Sequence, residues 1–196
     1  MKKDGQLKFL SEEPEGGDGL PYGWFNKNDI FMYRKLYGNL RKGAITAEVG
    51  VWQGRSICSV ADIILKNDLE VYAVDTFKGS FSAIDSVHNF DGRLQVMFKK
   101  NKNEFGLKNH VITIKEDSIK AAKKINKMFD LVFIDADHAP KSIMEDIFSW
   151  LPFVKKGGVL SGHDYQWVKK FVCREFKKRG FKIFDNKENI FWVNKD

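Results

Sequence analysis

Short apolar, β-branched runs alternate with amphipathic stretches along most of the chain. The run Ile45–Val51 ends in a turn punctuated by Gly50 and Gly54, and Ile57, Val60, Ala61 and Ile64 then recur at helical spacing. Further buried strands are predicted at Leu69–Phe77, Val111–Lys115 and Phe129–Ile134, the last being the most apolar. Upstream, Asn28 or Asp29 is placed to cap a helix whose apolar face is Ile30, Tyr33, Tyr37 and Leu40. Helices are also predicted from about Leu94 to Phe105, through the lysine-rich stretch after Ser118, and from Pro140, where Ile143, Ile147, Trp150, Leu151 and Val154 form one face. Gly157-Gly158 predicts a turn into a strand at Val159–Ser161. Val168, Phe171, Val172 and Phe176 mark a helix closed by Gly180. Phe181–Phe184 and Ile190–Val193, separated by the polar Asp185–Asn189 turn, predict an antiparallel hairpin.

Strands alternating with helices imply an α/β fold: a Rossmann-like, doubly wound, mostly parallel seven-stranded sheet with helices on both faces and a C-terminal antiparallel hairpin. With 196 residues in all, residues 28–196 are expected to form a single domain. Residues 1–27 read as an N-terminal arm whose aromatic end, Pro21-Tyr22-Gly23-Trp24-Phe25, either pins it to the core or closes over a pocket; pinning is favoured, because aromatic residues more often serve packing. The 43% hydrophobic and 30% charged content is that of a soluble globular chain with no membrane-spanning run, and the start lacks a signal peptide's apolar core, so a cytoplasmic location is expected. Cys58 and Cys173 suggest neither a disulfide framework nor a zinc site. The net charge of +7 would favour an acidic or phosphorylated partner, but the lysines are scattered and no nucleic-acid module accompanies them, so nucleic-acid binding is not expected.

In an open parallel sheet the ligand sits beyond the carboxyl ends of the strands. Here those ends are polar throughout: Glu48, Asp75, Glu116-Asp117-Ser118, Asp135 to His138, and His163-Asp164. A shared pocket explains this series better than a set of unrelated loop residues. The turn reads Glu48-x-Gly50-x-x-x-Gly54 with bulky Trp52 inside it, not the G-x-G-x-x-G of a pyrophosphate-binding loop. Its glycines permit close ligand approach or simply serve the turn. Glu48 suits a ligand with an amino group or positive charge. Asp75 is placed to accept hydrogen bonds from ribose hydroxyls, the alternative being a capping aspartate. Asp117 and Ser118 are placed to meet an adenine or to cap the following helix, and the two roles are compatible.

In this order, ExGxxxG, Asp75, Glu-Asp-Ser, FIDADH and GGVLSGHDY resemble class I S-adenosylmethionine (SAM)-dependent methyltransferases. The set is most similar to the small-molecule O-methyltransferase branch with the catechol, caffeoyl-CoA and macrocin types, and it covers roughly residues 40–194. The resemblance implies SAM as donor, with Glu48, Gly50, Trp52, Gly54, Asp75, Asp117, Ser118 and Asp135 around it. Many methyltransferases carry a further glycine where Trp52 stands. The catechol and caffeoyl-CoA types also imply a divalent metal, Mg2+ or Mn2+, at Asp135 and at the positions of His163 and Asp164. Histidine at 163 departs from the acidic pattern: as a ligand it would admit softer metals, and otherwise it is hydrogen-bonded to a neighbouring loop. His138 stands where those relatives carry a catalytic lysine, and the resemblance makes it the general base on an acceptor hydroxyl, with Asp135 as its catalytic neighbour.

The expected reaction is methyl transfer to a hydroxyl of a small molecule or sugar, walled by Tyr22, Trp24, Tyr165, Trp167 and the 78–92 loop, with a homodimer as the expected assembly. Metal-independent N- or O-methylation and a non-catalytic nucleoside-binding module of the same fold are the competing readings. The glycine spacing disfavours a NAD-dependent dehydrogenase.

Overall fold

The computed structural model describes residues 16–79, 92–137 and 139–195. Seven strands form one sheet: β1 (Ile45–Val49), β2 (Glu70–Asp75), β3 (Val111–Lys115), β4 (Phe129–Ile134), β5 (Val154–Gly162), β6 (Ile183–Asp185) and β7 (Phe191–Asn194). Their order is β3-β2-β1-β4-β5-β7-β6, with β7 antiparallel to both neighbours and the other pairings parallel. The helices are α1 (Lys27–Gly38), α2 (Arg55–Ser59), α3 (Ala61–Asn67), α4 (Arg93–Glu104), α5 (Ser118–Lys124), α6 (Pro140–Trp150) and α7 (Tyr165–Lys178). This is the mostly parallel, doubly wound sheet with a terminal antiparallel hairpin that the hydrophobic pattern predicts.

Two buried clusters cover the sheet's faces. One joins β-strand residues such as Val49, Val132 and Leu160 to Ile147 and Trp150 of α6 and Val168 and Phe176 of α7. The other joins Tyr33 and Tyr37 of α1 to Ile57, Ile64, Phe98 and Phe133. The sheet thus separates two apolar layers, and the order of the strands reverses between the parallel neighbours β1 and β4, because β2 and β3 lie on one side and β5 on the other. Loops after β1 and β4 diverge there, which opens a crevice at the strands' carboxyl ends.

Local details differ from the sequence reading for identifiable reasons. Asn26, two or three residues before the expected cap at Asn28 or Asp29, starts α1: its side chain accepts from the Asn28 and Asp29 N–H groups, and the Asp29 carboxylate accepts from the Asn26 N–H, completing a capping box. The helix expected after the glycine turn is two helices, broken at Val60 with φ −116° and ψ 15°. Gly157 and Gly158 lie inside β5, where the pairing with β4 shifts register, so they form an irregularity in a strand and not a turn before one. Phe171, placed by its spacing on the apolar face of α7, is 40% exposed.

Candidate active site

A cavity of about 400 Å³ lies at the carboxyl ends of the parallel strands. Gly50 and Trp52 after β1, Asp75 ending β2, Glu116, Asp117 and Ser118 after β3, Asp135 after β4, and His163 and Asp164 after β5 all line it. Four separate strand ends therefore supply acid to one space. Glu48 and Gly54, expected at the donor, lie outside this lining, and His138 lies outside the described residues, as do residues 1–15 of the arm and 80–91 of the 78–92 loop.

The β1 turn is held by specific contacts. Gly50 has φ +85°, and a Cβ there would stand 2.1 Å from the Asp135 carbonyl oxygen, so the turn and the end of β4 pack backbone to backbone. Gly54, also at φ +85°, caps α2, and a Cβ there would meet the Phe98 ring at 2.9 Å. That packing and the positive φ both call for glycine here. Asp75 Oδ2 accepts from the Val51 and Trp52 N–H groups at 2.8 and 2.9 Å, and Oδ1 from Phe77 N–H at 2.7 Å. Three of roughly four carboxylate lone-pair positions are thereby used, which leaves acceptor capacity on a group that lines the cavity.

Glu48 sits one layer below the cavity wall, fully buried, accepting hydrogen bonds from Tyr33 Oη and Ser56 Oγ. Burial pushes its carboxyl up to about 8, against the opposing effect of the Ser56 and Tyr33 bonds. Burial and the neighbouring Glu48 raise the Tyr33 phenol well above its ordinary value. Glu48 therefore organises the buried layer that supports Ser56, a cavity residue.

At the β3 end, Asp117 both lines the cavity and caps α5, its Oδ1 accepting from Lys120 N–H at 3.1 Å. Ser118 Oγ accepts from Trp150 Nε1 at 3.0 Å. Beside it lies Asp146 of α6, buried and cavity-lining. Burial raises its carboxyl to about 6, with Ser118 opposing and Asp117, Asp137 and Glu145 adding to the rise. Sequence reasoning missed Asp146, although a signal was present: a carboxylate between Ile143 and Ile147 on the apolar face of a helix.

The end of the N-terminal segment forms another wall, through Gly23, Trp24 and Phe25. Trp24 meets Trp52 edge-on at 5.4 Å, whereas Phe25 is buried against Tyr33, Phe133 and His163. The aromatic cluster both pins and walls. Arg55, a second residue missed by sequence, anchors it: Nε donates to Phe25 O at 2.7 Å, Nη1 to Pro21 O at 3.0 Å, and both terminal nitrogens to Asp18. Of the other expected aromatic walls, Tyr165 is buried with its Oη 3.2 Å from Cys173 Sγ, and Tyr22 and Trp167 do not line the cavity.

Asp135, His163 and Asp164 converge, each offering one ligand atom, all within 4.8 Å of one another. His163 Nδ1 lies 3.3 Å from Asp135 Oδ1 and 3.4 Å from Asp164 Oδ1, while Nε2 lies 3.2 Å from Asp29 Oδ2 of α1. Burial disfavours the imidazolium, but the Asp135 and Asp164 carboxylates outweigh it and hold the ring well above the usual histidine value. Asp164 has φ +56°, a strained conformation for a non-glycine residue at a strand end.

A family model described as a methyltransferase domain matches residues 47–165, more than half of the chain, from within β1 to the start of α7. The chain belongs to this methyltransferase family, and its fold is that of SAM-dependent methyltransferases. Among solved structures it is similar to a Staphylococcus aureus protein provisionally assigned as a caffeoyl-CoA O-methyltransferase (16% identity, 90% of this chain and 86% of that one, TM-score 0.67). It is also similar to the O-methyltransferase NovP (17% identity, 85% and 78% covered, TM-score 0.63). A Streptococcus mutans protein provisionally assigned as a methyltransferase, solved with S-adenosylhomocysteine (SAH), matches at 12% identity over 88% of this chain and 100% of that one, with TM-score 0.63. At these identities the likeness is one of fold. No curated protein matches the sequence. Among the described residues no helix is long and apolar enough to cross a membrane.

Proposed function

We propose that the protein transfers a methyl group from SAM to a hydroxyl of a small, uncharged or cationic acceptor such as a sugar or phenol, assisted by a divalent metal. The observation that carries this reading is the convergence of Asp75, Asp117, Asp135 and Asp164, from four successive strand ends, on one cavity beside the glycine turn. In this reading Asp75 takes the ribose hydroxyls with its remaining acceptor capacity. Asp117, Ser118 and Asp146 surround the adenine, and Gly50, Trp52 and Asp135 border the methionine end. Glu48 and Gly54 support the turn from behind.

SAM supplies a methyl already activated by its sulfonium, so the protein's task is alignment: the acceptor oxygen forms its bond to the methyl carbon as the carbon–sulfur bond breaks. Trp24 and Trp52 wall the cavity. His138, next in sequence to the cavity-lining Asp137, is the proposed base that takes the hydroxyl proton.

The residues present fit a divalent ion. Nδ1 of His163 carries at most one proton yet faces two carboxylate oxygens, an arrangement suited to a shared cation. Asp135, His163 and Asp164 would hold it, and a bound ion would lower the acceptor's hydroxyl pKa.

The cavity's charge narrows the acceptor. Eight carboxylates line it, against Arg55, already engaged with Asp18, and His163. A protein whose net charge is +7 thus presents an acidic cavity. That field attracts a sulfonium and repels phosphate-rich acceptors, which argues against the rRNA methylated by some proteins of this fold.

The test is thermal stabilisation by SAH and by NADH, each with Mg2+, Mn2+ or EDTA, followed by label transfer from methyl-labelled SAM to a panel of phenols and sugars. Stabilisation by SAH and labelled product are expected. A shift with NADH and none with SAH would overturn the donor assignment, and turnover indifferent to EDTA would overturn the metal.

A further inference from the structure

His163 is held by three carboxylates from three parts of the chain: Asp135 after β4, its own neighbour Asp164, and Asp29 in the first turn of α1. The Asp29 side chain is fully buried, and that of His163 is 6% exposed. Asp29 Oδ2 accepts from Asn26 N–H at 3.0 Å, so the capping box fixes the carboxylate in front of Nε2. Neither Asp29 Oδ1 nor His163 Nε2 makes a hydrogen bond of good geometry among the described residues.

The distances suit a divalent cation. Metal bonds of about 2.0–2.2 Å place neighbouring ligand atoms roughly 3.0–3.5 Å apart, and Nδ1 stands 3.3 and 3.4 Å from the two carboxylate oxygens. A ligating histidine ordinarily gives its other N–H to a carboxylate, which sets its tautomer and raises its basicity. Asp29 occupies that position.

Building on the metal reading above, we propose that Asp29 is the positioning residue of this centre: its carboxylate, 3.2 Å from Nε2, keeps the ring proton on Nε2 and leaves the Nδ1 lone pair as a ligand, and the imidazole makes the site prefer a transition-metal ion such as Mn2+ to Mg2+. A nitrogen donor suits Mn2+ better than the hard, oxygen-preferring Mg2+. The α1 N-terminus, which carries the wall residues Trp24 and Phe25 just before it, is thereby coupled to metal binding.

The test uses the full chain, freed of metal with EDTA and then dialysed, without donor or acceptor. Mn2+ binding is measured by electron paramagnetic resonance, with Mg2+ as competitor, and nitrogen ligation by electron spin-echo modulation. Wild type should bind Mn2+, show imidazole 14N modulation, and need Mg2+ in about hundredfold excess to release it. Asp29→Asn should weaken Mn2+ binding about 10- to 100-fold. Asp29→Glu preserves the capping-box chemistry, so a purely structural role predicts unchanged affinity, whereas the positioning role predicts a comparable loss. His163→Asp should abolish the 14N modulation and narrow the Mn2+ preference. Absence of Mn2+ binding or of 14N modulation in wild type would overturn the proposal, as would unchanged affinity in folded Asp29→Glu. SAH calorimetry in EDTA on the same samples separates the two readings: failure there removes the donor site, whereas SAH binding without Mn2+ binding removes only the metal centre.

Discussion

Arg55 reaches Asp18 through both terminal nitrogens, at 3.0 and 2.6 Å, across 37 residues of chain. The guanidinium is buried, and its hydrogen bonds hold the Asp18 carboxyl down at about 2. Together with the bonds to Pro21 O and Phe25 O, this clamp carries Trp24 to the cavity. Arg55→Lys keeps a charge but loses the forked geometry. We expect SAH affinity to fall about tenfold or more, as losing hydrogen bonds to a charged group would produce, with a change in tryptophan fluorescence from the Trp24–Trp52 pair. Calorimetry and emission spectra check it; unchanged affinity would detach the clamp from ligand binding.

Glu48 provides a pH prediction. Its folded value of about 8 lies above the ordinary glutamate value of 4.5. The folded state therefore holds the proton more tightly, so its stabilising contribution is complete below about 4.5 and is lost as pH rises through about 8. Glu48→Gln should flatten this dependence. Relative to the variant, wild type should lose on the order of 4 kcal/mol across the window. Urea midpoints measured from pH 4.5 to 8.5 decide it.

Asp146 behaves the same way over a lower range. Its value rises from 3.8 to about 6, so stability declines as pH rises between those limits. Asp146→Asn should remove roughly 2–3 kcal/mol of that decline. If Asp146 also borders the adenine, the variant should bind SAH more weakly while its affinity for Mn2+ stays unchanged.

Gly50→Ala should be severely destabilising. The added methyl would stand 2.1 Å from the Asp135 carbonyl, at a residue with φ +85°. Steric and conformational costs together amount to about 3 kcal/mol or more. Chemical denaturation gives the value, and a loss below about 1 kcal/mol would mean that the turn and the β4 end yield readily.

Asp75→Asn tests two roles at once. An amide has one acceptor oxygen where the carboxylate serves three backbone N–H groups. We expect a stability loss of about 1–3 kcal/mol and weaker SAH binding. A double-mutant cycle with SAH lacking a ribose hydroxyl isolates the second effect: additivity would remove the ribose contact.

The sequence by itself determined the architecture and the address of the site. Period-2 and period-3.6 hydrophobic patterns specify which face of each element is buried, and strand ends in a parallel sheet must meet at one edge, so Asp75, Asp117, Asp135 and Asp164 could be placed together from their positions alone. Only the tertiary structure decided which polar residues face the cavity and which lie behind it. Glu48 belongs to the same strand-end series, yet it is turned into the layer beneath, because Tyr33 and Ser56 supply the hydrogen bonds that a buried carboxyl requires. Arg55, Asp146 and Asp29 were hidden for the converse reason. Their partners Asp18, Ser118 and His163 are 37, 28 and 134 positions away. Contacts over such separations leave no local pattern and arise only when the elements pack.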